Sequence, residues 1–302
     1  MAPSRGRRLR QSAWMAAAGC LVGLVGCSSS VPTPDGVAPG ETGTKGGTTT
    51  VVVGPEMPET PTMPGVAIES RYTQSFKQAA ITDDIPADVL LPVDTTLAGK
   101  STYKLRVEVE TEWDKVELAN RTTGEPIAYV ATMHTSQGKF DITLNPKFAP
   151  NHVRNFIVLA KLGYYDGLRF DRIIHQVALD AQNMPTSQLD LLKAGCPLGI
   201  GEEGRGHIGY FMRPEFNEGV SHEAGTVGFW HENTAESAGT RIYITLGTAP
   251  VLDHNYSVIG KITAGLDVAK KISGSATQGE TYPEIELPRE PIVIDKVTIS
   301  RP

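Results

Sequence analysis

Three cysteines in 302 residues are too few for a disulfide framework. Cys20 is lost with the N-terminal leader and Cys27 stands at that leader's end, so Cys196 has no intramolecular partner. Cys196 precedes Pro197 and has no basic neighbour closer than Lys193, which reads as a loop thiol and not a nucleophile. An excess of positive charge is also missing. Four of the 28 basic residues, Arg5, Arg7, Arg8 and Arg10, lie in the leader, so the remaining 24 face 34 acidic ones, which argues against nucleic acid as a partner. The chain lacks an HExxH pair and a GxSxG elbow: neither His222-Glu223 nor His231-Glu232 is followed by a second histidine at metal-binding spacing. No metal and no other cofactor is expected. The GxGxxG match from Gly199 to Gly204 has no strand before it and no helix after it, and Glu202 and Glu203 would repel a phosphate. It reads as a glycine loop.

Long apolar runs are absent too, and the one short run is informative. Ala13 to Val25 is too short to span a bilayer with ease and has the length of a signal-peptide core behind its arginines. It ends in Leu24-Val25-Gly26-Cys27, which resembles a bacterial lipobox. That resemblance implies that residues 1–26 are a lipoprotein signal peptide and that Cys27 is acylated. Acyl chains contribute about 0.8 kcal/mol per buried CH₂, so several of them tether a protein firmly. The expected location is the cell envelope, lipid-anchored to a membrane and facing the periplasm or the exterior. Residues 27–65 are rich in Pro, Gly, Thr and Ser and bury too little apolar surface to fold, so they read as a disordered tether.

Residues 66–126 read as a small N-terminal extension. Within it, Tyr103, Leu105, Val107, Val109, Thr111 and Trp113 alternate with polar residues as in a strand, while Leu105, Val109, Trp113 and Val116 equally make a helical stripe. Residues 127–302 form the main domain. It begins with a hairpin, IAYVATMHT and KFDITLNP, turning at Ser136-Gln137-Gly138. Later segments GTVGFW, RIYITLG, YSVIGKIT and IVIDKVTIS read as strands, Leu266 to Ile272 as a short helix, and Ser187 to Lys193 as a possible helical turn.

The domain is organised around Ala149 to Ile174. Pro150 suits a first helical turn, and Val153, Phe156, Ile157, Ala160 and Leu162 give one apolar face. Gly163 ends the helix, Asp166-Gly167 turns, and Leu168, Phe170, Ile173 and Ile174 make a strand interrupted by Asp171 and Arg172. This order of AP, helix, GYYDG and F-x-R resembles the cyclophilin-type peptidyl-prolyl isomerases, over about Ile127 to Ile299. The resemblance implies a mainly β fold: a closed antiparallel cyclophilin-like β-barrel capped by two helices. It also implies a monomer acting on proline-containing peptides or unfolded exported proteins, with Arg172 as the catalytic arginine.

The same resemblance, aligned without gaps, marks the substrate-binding positions. Val177 falls where the family has a pocket phenylalanine and Asp180 where it has an active-site glutamine. Further on, His231 falls on a peptide-binding asparagine, Thr240 on a glutamine and Ile242 on a second pocket phenylalanine. Leu252 is kept, Tyr256 stands where many members have histidine, and Trp230 replaces a small residue beside the groove. Fewer aromatic walls and a carboxylate able to pair with Arg172 imply weak or absent isomerase activity. Arg172 itself is expected to be an exposed strand arginine whose loss leaves the fold intact. The alternative function is a non-catalytic module that binds a peptide or an envelope partner.

Overall fold

The structure is a computed structural model whose described residues are 67–179 and 184–302, within one compact unit. The leader, Cys27, the tether and Asp180 lie outside the described residues. In chain order the helices are α1 (Phe76–Ala79), α2 (Thr102–Glu112), α3 (Pro150–Lys161) and α4 (Leu266–Ser273). The strands are β1 (Ala80–Ile81), β2 (Tyr129–Thr135), β3 (Gly138–Leu144), β4 (Phe170–Leu179) and β5 (Pro185–Ala194), then β6 (Phe211–Met212), β7 (Thr226–Phe229), β8 (Ile242–Thr245), β9 (Ser257–Ala264) and β10 (Ile294–Ser300).

Of the two periodicities in 102–113, the helical one forms. Ser101 caps α2, its side chain accepting the Lys104 N–H at 3.5 Å. Leu105, Val109 and Trp113 are buried on one stripe, whereas Tyr103 is 74% and Val107 47% exposed, which a buried strand face would not allow. Trp113 then fixes the extension to the domain. It is wholly buried, packs edge-on to Phe76 with centroids 5.3 Å apart, and donates Nε1–H to the Gln74 carbonyl at 2.9 Å.

That covering layer changes the character of α3. One apolar face is what the sequence shows, yet Pro150 to Ala160 are all buried, because the sheet packs on one side and the 70–116 segment on the other. The polar residues therefore need partners. Arg154 donates to the carbonyls of Gln74 (2.7 Å) and Tyr72, and Asn155 holds Gly239 O at 2.9 Å and the Tyr210 hydroxyl at 2.5 Å. Glu215 accepts the Asn151 and His152 N–H groups at 3.1 and 2.9 Å, where a helix N-terminus favours a carboxylate.

Eight antiparallel strands form one sheet in the order β10-β2-β3-β9-β7-β8-β5-β4. The closed barrel implied by the resemblance does not form: the sheet is an open half-barrel. Among the described residues its edges meet only around the Arg169–Val293 bridge, flanked by Phe170 N–H to Ile292 O at 3.0 Å and Ile294 N–H to Leu168 O at 2.8 Å. Closure would need the chain before Ile292 to run as a strand beside Asp171 to Leu179. Pro288 and Pro291 stand there, and proline has no N–H to offer a ladder.

The helical turn expected at Ser187 to Lys193 is strand β5. Leu191 and Leu192 point to opposite sides and both are fully buried, so packing between β4 and β8 overrides the local helical bias. β4 also runs further than expected. Past Ile174 it continues with β5 as a two-stranded hairpin, Val177 opposite Gln188, while β8 accompanies β5 only from Leu191 to Ala194.

Candidate functional site

Arg172 is not an exposed strand arginine. Its side chain is 7% exposed because two loops close over it. Nε and Nη2 donate to Gly201 O at 3.2 and 3.0 Å, Nη1 donates to Pro283 O at 3.2 Å, and Nη1 lies 3.7 Å from Glu286 Oε2. The guanidinium also sits 5.3 Å from the Tyr282 ring centroid. The expectation that its loss leaves the fold intact rests on exposure and so loses its ground; Arg172→Ala, which leaves the buried Gly201 acceptor without its donors, is expected to lower the melting temperature. Gly201 explains the glycine-rich loop: it has φ +63°, and a Cβ there would stand 2.7 Å from Arg172 Nε and 2.8 Å from Asp171 O. The glycines let the loop wrap this arginine.

The sheet register decides what faces Arg172. Across β4, β5 and β8, Arg172 pairs with Lys193 and Lys193 with Tyr243, so the three form one cross-strand row. On the same side Tyr243 packs in a small apolar cluster with Ile174, Leu191, Ala249 and Leu252, bordered by Trp230 and Tyr256. This cluster is the candidate groove. Much of it is filled by the protein's own rings. Lys193 Nζ lies 3.1 Å from the Trp230 centroid, Trp230 stacks on Tyr256 at 5.1 Å, and Tyr256 stacks on His231 at 4.2 Å.

The structure brings Leu252, Tyr256, His231 and Trp230 together and places Val177, Ile242 and Thr240 elsewhere, while Asp180 lies outside the described residues. His231 bridges the carbonyls of Glu232 and Asn255 at 2.7 and 2.8 Å. Val177 is out on the β4–β5 hairpin, 51% exposed. Ile242 is wholly buried in the main core, since successive strand residues face opposite ways and Tyr243 takes the groove side. Thr240 is equally buried, its hydroxyl within 2.8, 3.0 and 3.1 Å of Tyr164 Oη, Gly195 O and Gly206 O, and so serves the core. Lys193 and Tyr243 carry no mark in the sequence reading. The alternation of Leu189, Leu191 and Lys193 against Asp190 and Leu192 was the available signal for β5.

Two polar networks hold the groove floor. Arg241, fully buried, donates Nε–H and Nη2–H to Asp171 Oδ1 at 3.2 and 2.5 Å, while Asp171 Oδ2 accepts the Cys196 N–H at 3.1 Å. Beside them, His222 Nδ1 lies 2.6 Å from Asp253 Oδ1 and its Nε2 2.6 Å from the Tyr243 hydroxyl. Burial raises Tyr243 well above the ordinary phenol range, so the hydroxyl keeps its proton and is able to donate to a neutral His222. The Asp253 carboxylate accepts from Nδ1–H, and the neutral ring favoured by burial accepts the Tyr243 O–H at Nε2. Burial lowers the His222 pKa, against an opposing pull from Asp253, and burial likewise lowers that of His207. A histidine whose folded pKa is depressed contributes stability above its unfolded value, about 6.5, and loses it as pH falls through the folded one. The melting temperature should therefore drop between pH 7.5 and pH 5. A flat profile over that range would show that these rings are not held neutral.

Residues 130–299 match the family model described as cyclophilin type peptidyl-prolyl cis-trans isomerase/CLD. The chain is 26% identical over 164 residues to Peptidyl-prolyl cis-trans isomerase CYP18-2 of Arabidopsis thaliana, covering 54% of this chain and 92% of that protein. It is 28% identical over 161 residues to Peptidyl-prolyl cis-trans isomerase-like 1 of Aspergillus fumigatus, covering 53% and 92%. In the mouse Peptidylprolyl isomerase domain and WD repeat-containing protein 1, the match is 28% identical and spans 56% of this chain but only 24% of that protein. A crystal structure of a Cryptosporidium parvum cyclophilin type peptidyl-prolyl cis-trans isomerase superposes with TM-score 0.47 at 20% identity, covering 58% of this chain and 99% of that one.

Proposed function

The chain belongs to the cyclophilin-type peptidyl-prolyl cis-trans isomerases, and from that premise we propose that it is a lipid-anchored, extracytoplasmic member that binds proline-containing segments of exported proteins and isomerises them weakly. Rotation about X-Pro meets a barrier of roughly 20 kcal/mol set by amide resonance. A directed donor lowers it by stabilising the twisted amide, whose prolyl nitrogen regains its lone pair. Arg172 is the donor in this family position, and the observation that carries the reading is that its guanidinium is already bonded to Gly201 O and Pro283 O and faces Glu286. A peptide must displace part of that set before Arg172 can serve it. The stack of Lys193, Trp230, Tyr256 and His231 supports the second reading, a binding module without turnover, because it occupies apolar surface that a proline ring would use.

The anchor rests on the lipobox-like Leu24-Val25-Gly26-Cys27 and the polar tether behind it. In the native host, Cys27→Ala should move the protein out of the membrane fraction, since the tether supplies no second apolar segment. If the mutant stays uncleaved in the membrane fraction, the leader is itself the anchor and acylation is not.

A further inference from the structure

Lys193 is 7% exposed, yet no carboxylate pairs with it and no acceptor bonds to it among the described residues; its close partner is the Trp230 ring, 3.1 Å from Nζ. A buried ammonium is costly unless it is matched by an opposite charge. The nearby acids are already committed. Asp171 is taken by Arg241 at 2.5 Å, Glu232 accepts the Gly204 N–H at 3.1 Å and the Trp230 indole N–H at 3.3 Å, and Glu286 faces Arg172 at 3.7 Å while accepting from Gln176 at 3.1 Å. Lys193 therefore has acids nearby, Glu232, Asp171 and Glu286, but no direct carboxylate partner of its own, and its place in the row between Arg172 and Tyr243 puts its unbonded ammonium on the groove side of the sheet.

We propose that Lys193 is a carboxylate-binding subsite of the groove, which selects peptides carrying an acid group beside the proline. The carboxylate comes from an aspartate or glutamate side chain or from a peptide C-terminus. This deepens the proline-peptide reading above and rests on it. The subsite requires the Trp230 ring, partly buried and held by Tyr256 and by Glu232, to move off the ammonium so that the carboxylate takes its place. Burial, and after it the positive charge of Arg241, hold the Lys193 pKa well below the ordinary lysine range against the opposing pull of Glu232, Asp171 and Glu286; a carboxylate bonded directly to Nζ adds to that pull. Lysine suits the task because its donors can rotate toward one oxygen, whereas the Arg241 fork is fixed on Asp171.

The test is calorimetric binding of three tetrapeptides to the full-length protein in detergent. Two have blocked ends and differ only in Glu or Gln before the proline, and the third has Gln there and a free C-terminal carboxylate. The expected result is about tenfold tighter binding of at least one acid-bearing peptide than of the blocked Gln peptide, and which one gains identifies the source of the carboxylate. Lys193→Met should remove that preference and Lys193→Arg should keep it, with circular dichroism checking that each variant is folded. The wild-type comparison stands alone if a variant fails to fold. Equal binding of all three peptides overturns the subsite while the proline-peptide reading survives. Binding of none overturns both.

Discussion

Asp171→Ala should cost about 3–5 kcal/mol of stability, because it leaves the Arg241 guanidinium buried and uncompensated. The pair is dry on both sides, with side chains 1% and 0% exposed, and the remaining acid near Arg241, Glu232, is 3.9 Å away. The same substitution frees the Cys196 N–H from Asp171 Oδ2. Urea denaturation reads the effect as a large fall in midpoint, and Asp171→Asn, which keeps an acceptor but not the charge, should fall between. A loss under about 1 kcal/mol would mean that water reaches Arg241 and that the pair behaves like a surface one.

Trp113→Ala should cost a similar amount, about 3–5 kcal/mol, the range for deleting a large buried ring. Trp113 lies against Phe76 and 5.4 Å from the Arg154 guanidinium, and its indole N–H holds the Gln74 carbonyl to which Arg154 also donates. The mutation thus strikes the seam between the 70–116 segment and α3. One cooperative transition at a lower midpoint is expected. Two separate transitions would show that the segment folds independently of the sheet.

How far the sequence could be read depended on where tertiary packing took over. The turn at Gly138, the start of α3 at Pro150, the Asp166-Gly167 turn and the strands around Val227, Ile244, Ile259 and Val297 follow from local pattern. The site residues are harder, because a gapless alignment onward from Arg172 marks Val177 and a second over Gly225 to Thr245 marks His231, Thr240 and Ile242, and neither shows where a strand ends or which face a residue takes. β4 runs on past Ile174, so Val177 meets Gln188 on a projecting hairpin, and the residue opposite Arg172 is Lys193. A similar slip separates Ile242 from Tyr243, since one residue of register exchanges the two faces of a strand. Gly228 confirms which ring lies on the outer face: a Cβ there would stand 2.4 Å from the Tyr243 hydroxyl. The burial of Arg172 was beyond sequence pattern altogether, because its partners Gly201, Pro283 and Glu286 come from distant loops.

The central claim is that Arg172 is held by its own chain and so is a poor catalyst. The direct measurement is the cis-trans isomerisation rate of a proline tetrapeptide with the full-length protein in detergent, beside a fully active cyclophilin-type isomerase in the same assay. Loss of one directed donor at an active site costs about 10²–10³ in rate, so kcat/KM should be about a hundredth of the active enzyme's or lower. Turnover equal to that enzyme's would contradict the claim, since it would show that the bonds to Gly201, Pro283 and Glu286 do not restrain the guanidinium.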